Sequence, residues 1–328
     1  MKRREFITLV GAAAAWPLGA RAQQADRMRR IGVVMYAAQQ DQDAQARLAA
    51  FTEVLRRLGW TEGVNVQFDV RWGAGNNDLY RRYATELVSA APDIVLGTDT
   101  PSVIALQDES RAVPIVFVQI ADPIGGGLVG NLSRPGGNIT GFTLFEYGIS
   151  AKWLELLKQI APRLTHAAVL VDRNNSAGMG QFAAIQAVAG SLHVELSTID
   201  LRTPTVIEQR IAALAVRGNG GLIGVASSAA LVHRELLVTL AAHHSLPDIY
   251  SYRLFAETGA LIAYGPDRID QYRRAAGYVD RILRGEKPGD LPVQNPTKYE
   301  LVLNRKAANS RGLEVPPSLL ALADDVIE

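Results

Sequence analysis

The chain of 328 residues contains no cysteine, and its 34 basic residues nearly cancel its 33 acidic ones. The missing thiols exclude a disulfide scaffold, a zinc-thiolate centre, a cysteine nucleophile and a lipid anchor on an N-terminal cysteine. The missing charge excess removes the electrostatic footprint of a nucleic-acid binder. Long apolar runs are absent beyond residue 22, so no membrane span is expected there. The histidines, His166, His193, His233, His243 and His244, show no zinc-ligand spacing, and the adjacent pair faces different directions on a helix. No G-x-S-x-G elbow is present, which argues against a serine hydrolase of the α/β type. With 48% hydrophobic residues and a net charge of +1, the chain is not a disordered one. Its length implies two lobes rather than one small domain.

Residues 1–22 read as an address. Lys2, Arg3 and Arg4 form a basic start, an apolar stretch runs from Phe6 to Leu18, and Ala20-Arg21-Ala22 supplies a small-x-small cleavage pattern. Arg3-Arg4-Glu5-Phe6-Ile7 is similar to the twin-arginine export motif. Cleavage after Ala22 would leave 30 basic and 32 acidic residues, a net charge of −2. The expected location is the periplasm, with no direct membrane anchor.

From Ile31 onward short apolar runs alternate with longer amphipathic ones. Strands are expected at Ile31–Tyr36, Val64–Trp72, Asp93–Gly97 and Pro114–Ile120. Helices are expected at Asp41–Leu58, Tyr80–Ala90 and Pro101–Glu109, the last capped by Thr100. The series then restarts. Strands follow at Ala167–Val171, Val194–Ile199, Gly221–Val225, Asp248–Ser251 and Ala260–Tyr264. Helices follow at Gly180–Ala189, Val206–Val216, Leu231–His243 and Ile269–Leu283. Lys298–Asn304 reads as a late strand, and a short helix is expected near Ser318–Ala323. This order predicts an α/β protein with two Rossmann-like lobes, each with a parallel sheet, around a cleft. Lobe 1 takes 31–142 plus about 265–290, and lobe 2 takes 143–264 plus about 291–328. Crossovers near Gly141–Tyr147 and Ala263–Pro266 would act as the hinge.

Ligands of open parallel sheets bind beyond the C-terminal strand ends. Those ends carry Tyr36, then Thr98, Asp99 and Thr100, then Asp122 in lobe 1. In lobe 2 they carry Arg173, Asn174 and Ser176, then Ser227 and Ser228, then Tyr250. Helix N-termini at Thr100 and at Ser227 or Ser228 suit a carboxylate, and Arg173 could hold the same group. Asp99 or Asp122 could receive an ammonium, while Tyr36, Trp72, Tyr250 and Tyr264 could form flat walls.

At these residues the chain resembles the type I periplasmic substrate-binding proteins of ABC importers, in the tryptophan/tyrosine-type branch. The resemblance rests on Gly97-Thr98-Asp99-Thr100-Pro101, Ala121-Asp122-Pro123-Ile124, Pro135 to Gly141 and Gly285 to Val293. It implies a solute-binding component, not an enzyme. Such a component closes its hinge on a small ligand and delivers it to an inner-membrane ABC permease; the helix N-termini, Arg173 and the tyrosines point to an amino acid or an aromatic or aliphatic carboxylate as that ligand. The histidine spacing and the lack of any other cofactor motif leave no metal or cofactor expected, and the chain is expected to be a monomer. Matching the family's motifs, Thr98, Thr100 and Asp122 serve lobe 1, and Asn174 and Ser176 serve lobe 2. Two departures stand out: Asp172-Arg173 replaces an Asn-Pro opening, and Ser227-Ser228 replaces Thr-Asp. Rival readings are a ligand-binding sensor feeding a signalling receptor, and a cleft hydrolase using Asp99 and Asp122. Gly125-Gly126-Gly127-Leu128-Val129-Gly130 fits G-x-G-x-x-G, but the Pro-Gly-Gly turn that follows leaves no room for the helix a dinucleotide site requires.

Overall fold

A computed structural model describes residues 27–172 and 176–328, so the export-signal residues 1–22 and the candidates Arg173 and Asn174 lie outside the described residues. The described chain divides into two compact units, one ending at Phe142 and resuming over Gln271–Val293, the other formed by Thr143–Asp270 and Gln294–Glu328.

In the first unit, β1 (Arg29–Met35) buries alternate residues on opposite faces. Ile31, Val33 and Met35 pack with Phe51 and Leu55 of α1 (Gln42–Arg57) and with Tyr272 and Val279 of α10 (Arg268–Leu283). Val34 packs on the other face, with Leu87 of α2 (Asn77–Ser89) and Val103 and Leu106 of α3 (Thr100–Glu109). Helices on both faces explain why the strands read as unbroken apolar runs. With β2 (Val66–Trp72), β3 (Ile94–Gly97), β4 (Ile115–Ile120) and β5 (Ile139–Thr143), the sheet order is β2-β1-β3-β4-β5. Chain direction through this order reverses between β1 and β3, the switch point at which a crevice opens.

The second unit repeats the plan. After α4 (Ser150–Ile160) come β6 (His166–Val171), α5 (Ser176–Ala189), β7 (Glu195–Asp200), α6 (Pro204–Arg217), β8 (Gly220–Gly224), α7 (Ser228–Val232), α8 (Arg234–His243) and β9 (Asp248–Tyr250). Then follow α9 (Arg253–Thr258), β10 (Ile262–Pro266), β11 (Tyr299–Asn304), α11 (Arg305–Ser310), α12 (Pro317–Leu320) and β12 (Asp325–Ile327). The sheet order is β12-β11-β10-β9-β8-β6-β7, with its switch point between β6 and β8. All its pairs are parallel except β10 with β11, which departs from the all-parallel expectation.

Several local readings change. The cap of α3 is Asp99, not Thr100, which is the first helical residue. The helix expected over Leu231–His243 is broken at His233 into α7 and α8. Residues Ala263–Pro266 are not a crossover but part of β10, and the chain changes unit in the first turn of α10. Helices α9 and α11 and strand β12 carry too little periodic signal in so few residues to be read in advance, whereas α4, absent from the expected helices, does show a helical apolar stripe of Trp153, Leu154, Leu157 and Ile160.

Candidate ligand-binding strand ends

In the first unit the switch point is closed by one hydroxyl. Thr98 Oγ1 accepts from Tyr36 N at 2.8 Å and donates to Val34 O at 3.0 Å. Thr98 is 1% exposed, so its hydroxyl joins β1 to β3 rather than offering itself to a ligand. Asp99 is likewise engaged. One carboxylate oxygen accepts from Ser102 N at 3.1 Å, capping α3, and the other accepts from Tyr80 Oη at 2.8 Å. Burial pushes the Asp99 carboxyl above its ordinary range, against the pull of these donors, and burial with the Asp99 charge raises the Tyr80 phenol. A capped helix with a filled carboxylate is a poor acceptor for a ligand ammonium and a poor N-terminal site for an anion.

Thr100 and Asp122 are brought together. Asp122 Oδ1 accepts from Gly125 N at 2.8 Å, and a Cβ on Gly125 would stand 2.2 Å from Asp122 Oδ2, so a side chain there would push the Asp122 carboxylate out of this turn. A Cβ on the neighbouring Gly126 would lie 3.6 Å from the Thr100 methyl. The amides of Gly125, Gly126, Gly127, Leu128 and Val129 all bond within this turn, to Asp122, Pro123 or Ile124. The glycine-rich loop therefore has no free amide cradle for a phosphate, and β5 follows it where a dinucleotide fingerprint needs a helix.

Two residues at this end were not singled out as candidates. Gln119, the penultimate residue of β4, is buried and holds a left-handed φ of 62°. Arg47 is 0% exposed, on the apolar stripe of α1 with Ala44, Phe51 and Leu55. The stripe expected from Leu48, Phe51, Val54, Leu55 and Leu58 is rotated, leaving Leu58 exposed. An arginine at i+3 from Ala44 and i−4 from Phe51 was the available signal.

In the second unit, Ser176 opens α5 and Ser228 opens α7. Ser227 caps α7 by accepting from Ala230 N at 3.0 Å and is buried. Gln181 of α5, fully buried, accepts from Ala226 N at 3.1 Å and so fixes the turn after β8. Tyr147 lies over the first turns of α5, where a Cβ on Gly180 would meet its ring at 2.4 Å. This places an aromatic ring at the edge where β6 ends. Trp72 closes β2 half-buried, packed against the first unit's core.

Tyr250 does not serve as a wall. It is 0% exposed and stacked on Phe255, ring centroids 4.2 Å apart and 4° from coplanar. Its ring occupies the space above Gly224, where a Cβ would come within 2.1 Å. Burial, helped by the charge on Asp248, drives its phenol well up. Tyr264 is half-buried in the middle of β10, its carbonyl accepting from Trp153 Nε1 at 2.7 Å and its ring 6.0 Å from that of Tyr299. Burial raises the Tyr264 phenol as well.

Among the described residues no cluster of potential ligands could hold a metal ion, and no helix is long and apolar enough to cross a membrane. The two sheets share the same inner order, and the chain matches over residues 33–327 the model of a family described as ABC transporter substrate binding protein. The chain belongs to that family. Members of the ABC substrate-binding family are extracytoplasmic solute-binding proteins. A protein named tyrosine-binding protein, from Clostridioides difficile, is 25% identical over 255 residues, 77% of this chain and 73% of that one. A conserved domain protein from Vibrio cholerae superposes with a TM-score of 0.81 at 25% identity, covering 92% of this chain and all of the other. An ABC domain from Streptococcus pneumoniae in complex with L-Trp does so with a TM-score of 0.81 at 23% identity, over the same shares.

Proposed function

We propose that this member of the family captures an amino acid with an aromatic side chain and delivers it to an inner-membrane ABC permease. The observation that carries the reading is the repeated switch point, with polar and aromatic groups at the strand ends of both units. The names of the two ligand-bearing relatives supply the class of ligand. In this reading Tyr36, Thr100 and Asp122 of the first unit serve the ligand. Arg173, Asn174, Ser176, Ser228 and Tyr264 of the second serve it too, with Arg173 as the bidentate partner for its carboxylate, while Ser227, like Asp99, is spent as a helix cap. Hinge closure on the ligand follows from its higher affinity for the closed state. The protein acts as a monomer without catalysis. Residues 1–22 direct it to the periplasm and are cleaved after Ala22.

A thermal-shift screen of amino acids, aromatic acids, purines and sugars tests this. A ligand at 100-fold excess over its Kd adds about 2.7 kcal/mol of stability. The expected hits are L-tyrosine and L-tryptophan; a shift with neutral sugars alone overturns the reading, and turnover of a hit makes the protein an enzyme. Replacing Arg3 and Arg4 by lysine should abolish export if the twin-arginine route is used.

A further inference from the structure

Arg47 is a fully buried cation placed directly behind a strand end. Its Nη1 binds Asp43 at 2.7 Å and its Nη2 donates to Tyr36 Oη at 3.1 Å. The guanidinium carbon lies over the Tyr36 ring, 5.4 Å from its centroid, and 6.0 Å from the centroid of Tyr272 on α10. Its Nε is buried without a hydrogen-bond partner. Asp43, the carboxylate that balances it, is 44% exposed at the side chain, so the pair is solvated at one end and dry at the other. Burying a guanidinium is costly, and an apolar residue would fill this stripe position with less desolvation. A structural strut between α1, Tyr36 and α10 would not need the charge.

We infer that Arg47 is a specificity-determining positioning residue, which orients Tyr36 and draws electron density from its ring so that the ring accepts an electron-rich aromatic ligand. The inference rests on the proposed binding of an aromatic amino acid. Its physical basis is the ring quadrupole. A cation held on one face of Tyr36 makes the ring a better partner for an electron-rich indole or phenol, and a worse one for an ammonium group. Tyr36 is half-buried at the end of β1, so part of its surface remains open to a ligand.

The test is calorimetric titration with L-tryptophan and with its monofluoro and tetrafluoro forms, whose rings are progressively poorer in electrons. In the wild-type protein the tetrafluoro form should bind about three- to tenfold more weakly. In Arg47→Met that ratio should fall to within about twofold or reverse, whatever the change in thermal stability, and Arg47→Lys should keep the wild-type trend in part. A purely structural arginine would weaken all three ligands equally, and that result overturns the inference. If Arg47→Met does not fold, Tyr36→Leu replaces it, and an unchanged fluorine trend there likewise overturns it. If the wild-type protein binds no form of tryptophan and no tyrosine, the binding reading fails first and the inference falls with it. Binding without a fluorine trend sinks the inference alone.

Discussion

Thr98 Oγ1 accepts from Tyr36 N at 2.8 Å, so the residue that follows β3 holds the residue that follows β1. The same oxygen donates to Val34 O, and the group is buried. Thr98→Val keeps the shape and removes the hydroxyl, leaving Tyr36 N and Val34 O without that partner inside the sheet. The expected loss is about 1–3 kcal/mol in denaturant unfolding, with Thr98→Ser close to wild type. A loss of affinity for L-tryptophan larger than the stability change explains would instead make Thr98 a ligand contact.

Asp99 predicts a pH effect of definite sign. Its carboxyl is raised in the folded state by burial, so its contribution to stability is fully present below the unfolded value near 3.8 and is lost as pH rises through the folded one. Relative to Asp99→Asn, which has no such titration, the wild-type protein should gain stability as pH falls from 7 to about 4.5. Denaturant midpoints of the two proteins at both pH values measure this. An opposite trend would mean that Tyr80 and Ser102 outweigh the desolvation.

Tyr250 separates core from site. Tyr250→Leu should cost about 2–4 kcal/mol through the lost stack on Phe255 and the space left above Gly224. Its affinity for L-tryptophan should stay within about twofold of wild type. A large drop in affinity without loss of stability would restore Tyr250 as a ligand wall.

Asp248 and Arg311 form a fully buried pair at 2.7 Å, and Asp248 also accepts from Leu261 N. Removing one member strands the other's charge, so Asp248→Leu or Arg311→Met alone should cost about 3–5 kcal/mol. The double replacement should recover most of that loss, and a double-mutant cycle by chemical denaturation reads the coupling. Additive losses would show that each side chain acts through other contacts.

The strand runs were legible because parallel strands covered on both faces must be apolar throughout, as Ile31 to Met35 and Ala167 to Val171 are. The site was legible only as a set of positions. Thr98, Asp99 and Thr100 stand at a strand end in any such series, but three hydroxyl or carboxylate groups in a row do not show which one the fold consumes. Asp99 caps the helix because a carboxylate at that φ,ψ reaches Ser102 N, while Thr100, the expected cap, is the first helical residue and half-buried. Tyr250 could not be told from an exposed tyrosine until Phe255 and Gly224 were seen on either side of it.

The sequence by itself determined the alternation of strands and helices, the double βα series and the positions of the strand ends, since these follow from periodicity and from the handed connection of parallel strands. Only the tertiary structure decided which polar groups are spent inside and which are left for a ligand. Hydrogen-bond partners such as Tyr36 with Thr98, and buried charges such as Arg47, come from residues far apart or from a helix rotated on its axis. Burial, which sets their energy, is a property of the packed whole.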